Sequence, residues 1–229
     1  MFCQQAKRAR YGRENFRATA RKLFLTTIAM KKFSKKFEQL LDFVKFTHEF
    51  QEVIRVARPP FRERFENDAE HSYQLAMVAW FLIEQDKLKL DKELCFMYAL
   101  AHDLVEVYAG DTYFLDTNHA LSKQKREKEA LQKIKKRFLG FKTLAKILEK
   151  YESKKDEESK FIYALDKLIP PIQIFLEDGK LWHEKMVSFD GLLQNKEKKI
   201  AVSKEVEKYW LELLPELAKN KKKLFPLLD

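Results

Sequence analysis

Cysteine is nearly absent. Cys3 and Cys95 are the only two in 229 residues, so the chain has no disulfide framework and no Cys-x-x-Cys metal pair, and a reducing, cytoplasmic setting is expected. Glycine and proline are almost as scarce, at 5 and 6 residues, which argues against a turn-rich all-β protein and against a low-complexity linker. Long apolar runs are also missing. The longest, such as Leu94 to Ala101, fall far short of the roughly 20 residues that cross a bilayer, so no membrane span is expected. No glycine-rich phosphate loop is present. What remains is 45% apolar and 13% aromatic, a composition that suits a helix-rich folded domain with a large core.

Acidic residues are scarce in one place. Residues 1–29 hold five of the 11 arginines and two lysines against the single acid Glu14, so this stretch carries +6 of the net +10. The shift marks residues 1–29 as a basic extension, expected to be disordered, ahead of one domain over 30–229. It lacks the continuous apolar core of a secretory signal. Arg-rich and acid-poor, it shares the composition of an organellar presequence, and translation upstream of a true start at Met30 is the plainer account. The basic run Lys123 to Arg137 keeps Leu131 and Ile134 at helical spacing, so a solvated helix face is expected there rather than a nucleic-acid stripe.

From Lys31 onward the pattern is helical. Phe33, Phe37, Leu40, Leu41 and Val44 recur at the spacing of one buried helix face. After the break at Arg58-Pro59-Pro60, Asn67 and Glu70 form a capping box that starts a helix with His71 in its first turn. Ala76 to Ile83 is apolar nearly all round, which predicts a central helix with Trp80 in the core, and Trp210 is expected in the core too. Asp91 caps a helix running from Lys92 to Tyr108 and stopped by Gly110. Ser122 opens a charged helix to Phe138, and a short helix ends near Tyr151. After a solvated connection over 152–158, a helix carrying Ile162, Leu165 and Ile169 ends or kinks at Pro170-Pro171. A closing helix holds Trp210, Leu213 and Leu214. The expected fold is all-α, a single helical bundle.

Ionisable residues break its apolar stretches. His102 and Asp103 sit between Phe96–Ala101 and Leu104-Val105, where a charge without a partner is costly to bury. Glu106 follows on the same flank and Asp111 just past Gly110. Asp166 lies beside the stripe of Ile162, Leu165 and Ile169, where a lone carboxyl would take up a proton rather than stay charged. An ion pair with Lys167 or an arginine satisfies Asp166 as well as a cation does. With His71, the set supplies two imidazoles and two carboxylates to one divalent cation. That donor set suits Mn²⁺, Co²⁺ or a similar transition metal without choosing among them. His48, His119 and His183 have no partner at ligand spacing.

Glu66-Asn67-Asp68-Ala69-Glu70-His71-Ser72, Ala99 to Asp111 and Ala164-Leu165-Asp166-Lys167 resemble the signature segments of the HD-domain phosphohydrolases, most closely the 5′-deoxynucleotidase branch. The resemblance covers about residues 40 to 185. It implies a helical domain, often a homodimer, whose single metal is held by His71, His102, Asp103 and Asp166. It also implies hydrolysis of the 5′-phosphate of (deoxy)nucleoside monophosphates, with Glu106 and Asp111 as catalytic acids. An upstream arginine would bind phosphate. Arg58 fits best, its spacing shifted by a few residues, with Arg62 and Arg55 also candidates. The next residue is aromatic in some members, helping to reject a ribose 2′-hydroxyl; here it is Pro59, a departure that bears on sugar selectivity. Glu106 is placed to orient or deprotonate water and Asp111 to protonate the leaving oxygen or hold the sugar, roles that could be exchanged. Two other readings stand beside this one: hydrolysis of another phosphate ester, such as a second messenger or sugar phosphate, and a basic nucleic-acid-binding or scaffolding protein whose buried polar residues are structural.

Overall fold

A computed structural model of the protein describes residues 33–111 and 117–226, without the side chains of residues 117–121. The basic extension over 1–29 and the side chain of His119 therefore lie outside the described residues. The chain divides into two compact units, residues 1–43 and 44–229. In the first, described from Phe33, the rings of Phe33 and Phe37 meet one turn apart, tilted, with centroids 4.9 Å apart.

The described residues form helices joined by short turns: α1 (Lys35–Gln51), α2 (Asp68–Gln85), α3 (Lys92–Ala101), α4 (Glu106–Ala109), α5 (Thr117–Arg137), α6 (Lys142–Ser153), α7 (Glu157–Leu176), α8 (Lys180–Glu184), α9 (Phe189–Ile200), α10 (Lys204–Lys219) and α11 (Lys221–Leu224). Among them there is no strand, only an isolated antiparallel bridge between Ile54 and Asn67. Helix α7 is the axis of the second unit, packing against α2, α3, α6, α9 and α10. Its buried face carries Phe161, Ile162, Leu165, Leu168 and Ile169, with Asp166 among them.

Several boundaries follow their expected signals. The Asn67 side chain accepts from Glu70 N while Glu70 reaches back to Asn67 N, closing the capping box. Asp91 caps α3 through Leu94 N. Other expectations fail, each for a local reason. Helix α7 runs through Pro170 and Pro171 instead of ending there; its flanking turns are buried on both sides of the prolines, and packing outweighs two missing backbone donors. The expected single helix to Tyr108 breaks after Ala101, because Leu104 N and Glu106 N bond to the carbonyls of Ala101 and Asp103, three residues back. Helix α5 starts at Thr117 rather than Ser122, and the connection before α7 is shorter than expected, since α6 persists to Ser153. Trp80 is 49% exposed, with Met77 and Phe81 beside it, and Phe37, Leu40, Leu41 and Val44 are exposed as well. Periodicity finds an apolar stripe but not what covers it. Trp210 is buried as expected.

Candidate metal centre

The four ligand-type residues converge from three elements. His71 sits at the start of α2, His102 and Asp103 in the turn after α3, and Asp166 midway along α7. One donor atom from each lies within 4.8 Å of all the others. His71 Nε2 is 3.0 Å from Asp166 Oδ1. His102 Nε2 is 2.9 Å from Asp103 Oδ2, yet without the alignment of a hydrogen bond.

The proton positions make this arrangement informative. His102 Nδ1 lies 3.0 Å from the Ala99 carbonyl oxygen, and a carbonyl can only accept, so Nδ1 carries the proton and Nε2 presents a lone pair. The Tyr151 ring packs edge-on against that imidazole, fixing its plane. His71 Nδ1 faces Glu66 Oε1 at 3.5 Å, which turns Nε2 toward Asp166. Two imidazoles and two carboxylates thus meet in a buried space, an arrangement that a positive charge, a proton or a metal ion, stabilises. His71 expresses the same demand: burial and Arg55 lower its pKa, but Asp166 and Glu66 outweigh them and raise it. Nitrogen and oxygen donors in this number fit a divalent transition ion.

Asp166 forms the ion pair expected with Lys167 and also lies among the ligand-type donors. Oδ1 faces His71, and Oδ2 takes the Lys167 ammonium at 2.5 Å. Burial works against its charge, but Lys167 and the two histidines hold its pKa well below the carboxylate range.

Beside these four residues lies a second acidic group, Asp68, Asp103 and Glu106, whose oxygens also fall within 4.8 Å of one another. The tightened turn explains part of it, because three residues per turn aligns Asp103 with Glu106. Glu106 is buried, and its Oε2 has no hydrogen-bond partner among the described residues. Burial, then Asp103, Asp68 and Asp111, raise its pKa well above normal.

Arg55 is the cation that serves this group. Its Nη1 lies 3.0 Å from Asp68 and 2.7 Å from Asp103, and its Nε 3.4 Å from Glu66. Burial opposes its charge, and Asp103, Asp166, Glu106 and Asp68 more than restore it. The bridge explains its placement: Arg55 N bonds to Glu66 O and Asp68 N to Val53 O, laying the segment before α2 along the capping residues. Arg58, the first choice from sequence, points elsewhere. It pairs with Glu184 at 2.6 Å and covers the Phe65 ring, while Arg62 is exposed. Neither lines the cavity that Arg55 does.

That cavity, about 330 Å³, is also lined by Asp103, Glu106, Asp111 and Asp166. Its other side comes partly from α9, a helix not expected from the sequence, which contributes Asn195, Lys196 and Lys199. Ser188 caps α9 through Gly191 N, and that Ser with the Leu192–Ile200 spacing was the signal available. Among the described residues no helix is long and apolar enough to cross a membrane.

An all-helical domain that gathers two imidazoles and two carboxylates at the edge of a cavity defines a candidate metal-site protein. The HD domain family pattern matches residues 47–210, and the chain belongs to that family. A crystal structure of a predicted metal-dependent phosphohydrolase from Magnetospirillum magnetotacticum MS-1 superposes with a TM-score of 0.72 at 25% identity, covering 83% of this chain and 96% of that one. The chain is 33% identical over 107 residues to the mouse 5′-deoxynucleotidase HDDC2, covering 46% of this chain and 52% of the relative. For the human 5′-deoxynucleotidase HDDC2 the figures are 31% over 132 residues, 56% and 63%. The matches therefore span between half and two thirds of these relatives' length.

Proposed function

We propose that this chain is a metal-dependent phosphomonoester hydrolase that removes the 5′-phosphate from (deoxy)nucleoside 5′-monophosphates, with one divalent ion such as Mn²⁺ or Co²⁺ held by His71, His102, Asp103 and Asp166. The observation that carries this reading is the meeting of four ligand-type donor atoms beside a cavity that Glu106 and Asp111 also line. The names of the mouse and human relatives support the substrate class.

The ion would supply an electrophile for the phosphate and a more acidic water. The protein's own groups do the rest. Glu106, its pKa raised by burial and by neighbouring acids, is a stronger base when ionised than an exposed glutamate, as suits a group that takes a proton from water. Asp111, on the same wall, delivers a proton to the leaving oxygen or holds the sugar. Arg55, rather than Arg58 or Arg62, is the arginine within reach of the phosphate, held rigid by Asp68 and Asp103. Val56 follows it on the cavity wall. An apolar neighbour rejects a 2′-hydroxyl only weakly, so ribo- and deoxyribonucleotides are expected to be turned over within about a hundredfold of one another.

The test is a phosphate-release screen of nucleotides with and without each divalent metal, with His102→Ala as the control. Metal-dependent release lost in the variant is expected. Equal turnover by His102→Ala would exclude this centre.

A further inference from the structure

Asn195, Lys196 and Lys199 line the cavity from α9, a helix that supplies none of the residues assigned to the metal. Lys196 and Lys199 stand three residues apart, hence on one helix face, and Lys196 is only 8% exposed. Lys167 enters the same cavity from α7 and Lys123 from α5. Ammonium groups gathered this way oppose one another. Burial, then Lys167, pushes Lys196 down to about 7; burial, then Lys167 and Lys123, lowers Lys199. Concentrating like charge in a partly dry cavity costs stability, and an incoming anion offsets that cost.

The charges around them indicate which anion. Arg55 holds Asp68 and Asp103, Lys167 holds Asp166, and Lys123 sits 3.3 Å from Glu127. A divalent ion would add two positive charges beside Asp103 and Asp166. Lys199 meets a neutral amide, donating to Asn195 Oδ1 at 3.3 Å. A phosphomonoester brings two negative charges at neutral pH, whereas a diester brings one.

We propose that Lys196 and Lys199 form a clamp for the phosphate dianion of the substrate, and that this clamp selects phosphomonoesters over phosphodiesters. It rests on the hydrolase reading above and adds to it the specificity of the site, setting cyclic and other diester nucleotides aside as substrates. The two lysines bind and position; the groups that exchange protons are those already named.

The experiment uses the full chain loaded with Mn²⁺. Inorganic phosphate affinity is measured by calorimetry, alongside kcat and KM for a nucleoside 5′-monophosphate and for bis(p-nitrophenyl) phosphate. Lys196→Met and Lys199→Gln are each expected to weaken phosphate binding and raise the monoester KM by about ten- to a hundredfold, the value of a charged hydrogen bond. Monoester kcat and diester turnover should change little, and Lys199→Arg should recover most of the binding. Lys199 is only half-buried, so its variants test the clamp even if Lys196→Met fails to fold. Phosphate affinity and KM at wild-type level in Lys199→Gln overturn the clamp, as does a wild-type protein that binds no phosphate. If phosphate binding is lost in the variants while the wild type hydrolyses no nucleotide, the clamp stands and the hydrolase reading falls.

Discussion

Arg55 carries one charge into a group of acids that could not stay ionised together without it. With its side chain 12% exposed, and with Asp68 and Asp103 at 3.0 and 2.7 Å, it belongs to the buried ion pairs whose disruption is expensive, because the partner charge is left behind. Arg55→Met is therefore expected to destabilise the metal-free protein by about 3–5 kcal/mol in urea unfolding. Adding Asp68→Asn should return part of that loss, since it removes one of the stranded carboxylates. A double variant as unstable as the single one would mean that Asp68 is not the partner that matters. The same residue shows where sequence reading stops. Arg55 lies in an irregular segment, where no periodicity tells which way a side chain faces, so Arg58 was preferred while Arg55 and Arg62 stayed candidates. Neither Asp68 nor Lys196 was singled out, because nothing local marks which way either side chain faces.

The helices around the site are joined by side-chain links as well as by packing. Tyr98 of α3 donates from its hydroxyl to Asp156 Oδ2 at 2.8 Å, and Asp156 in turn caps α7 by accepting from Ser159 N at 2.7 Å. Burial raises the Asp156 pKa, but the hydrogen bonds from Tyr98 and Ser159 outweigh it and hold the carboxyl below its usual range. A carboxyl with a lowered folded pKa adds stability that is complete above its unfolded value, near 4, and is lost as the pH falls through the folded value. Asp156→Ala should thus cost about 1–2 kcal/mol at pH 7, and urea midpoints of wild type and variant should draw together as the pH is lowered from 5 toward 3. A gap that stays constant over that range would show that the lost contact does not depend on charge. Elements of this kind were legible in advance wherever one residue decides them, as at Asn67 and Asp91. They were only partly legible where packing decides, as in the continuation of α7 through Pro170 and Pro171.

Across the molecule, the proposed ion ties together α2, the turn after α3, and α7, which are separated by up to 95 residues between His71 and Asp166. A ligand bound by the folded chain alone stabilises it by mass action, about 2.7 kcal/mol at a hundred times its Kd. For a domain of this size that corresponds to a rise in Tm of about 5–11 °C. Chelation should lower the Tm of wild type by that amount and leave Asp166→Asn unmoved. Equal melting of wild type with and without metal would remove the ion from the account. The lysines of α9 and Asp166 of α7 line one cavity because these helices pack together, so the charge balance of the cavity belongs to the tertiary structure.

The sequence by itself determined the helical class, the helix starts at Asn67 and Asp91, and the four donors, because a polar side chain in an apolar run is costly unless something meets it. Only the tertiary structure decided which arginine faces the cavity, that Asp68 joins the acids, and that a helix near the C-terminus brings lysines to the opposite wall. Those are questions of direction and of contact between distant segments, and local spacing carries no information about either.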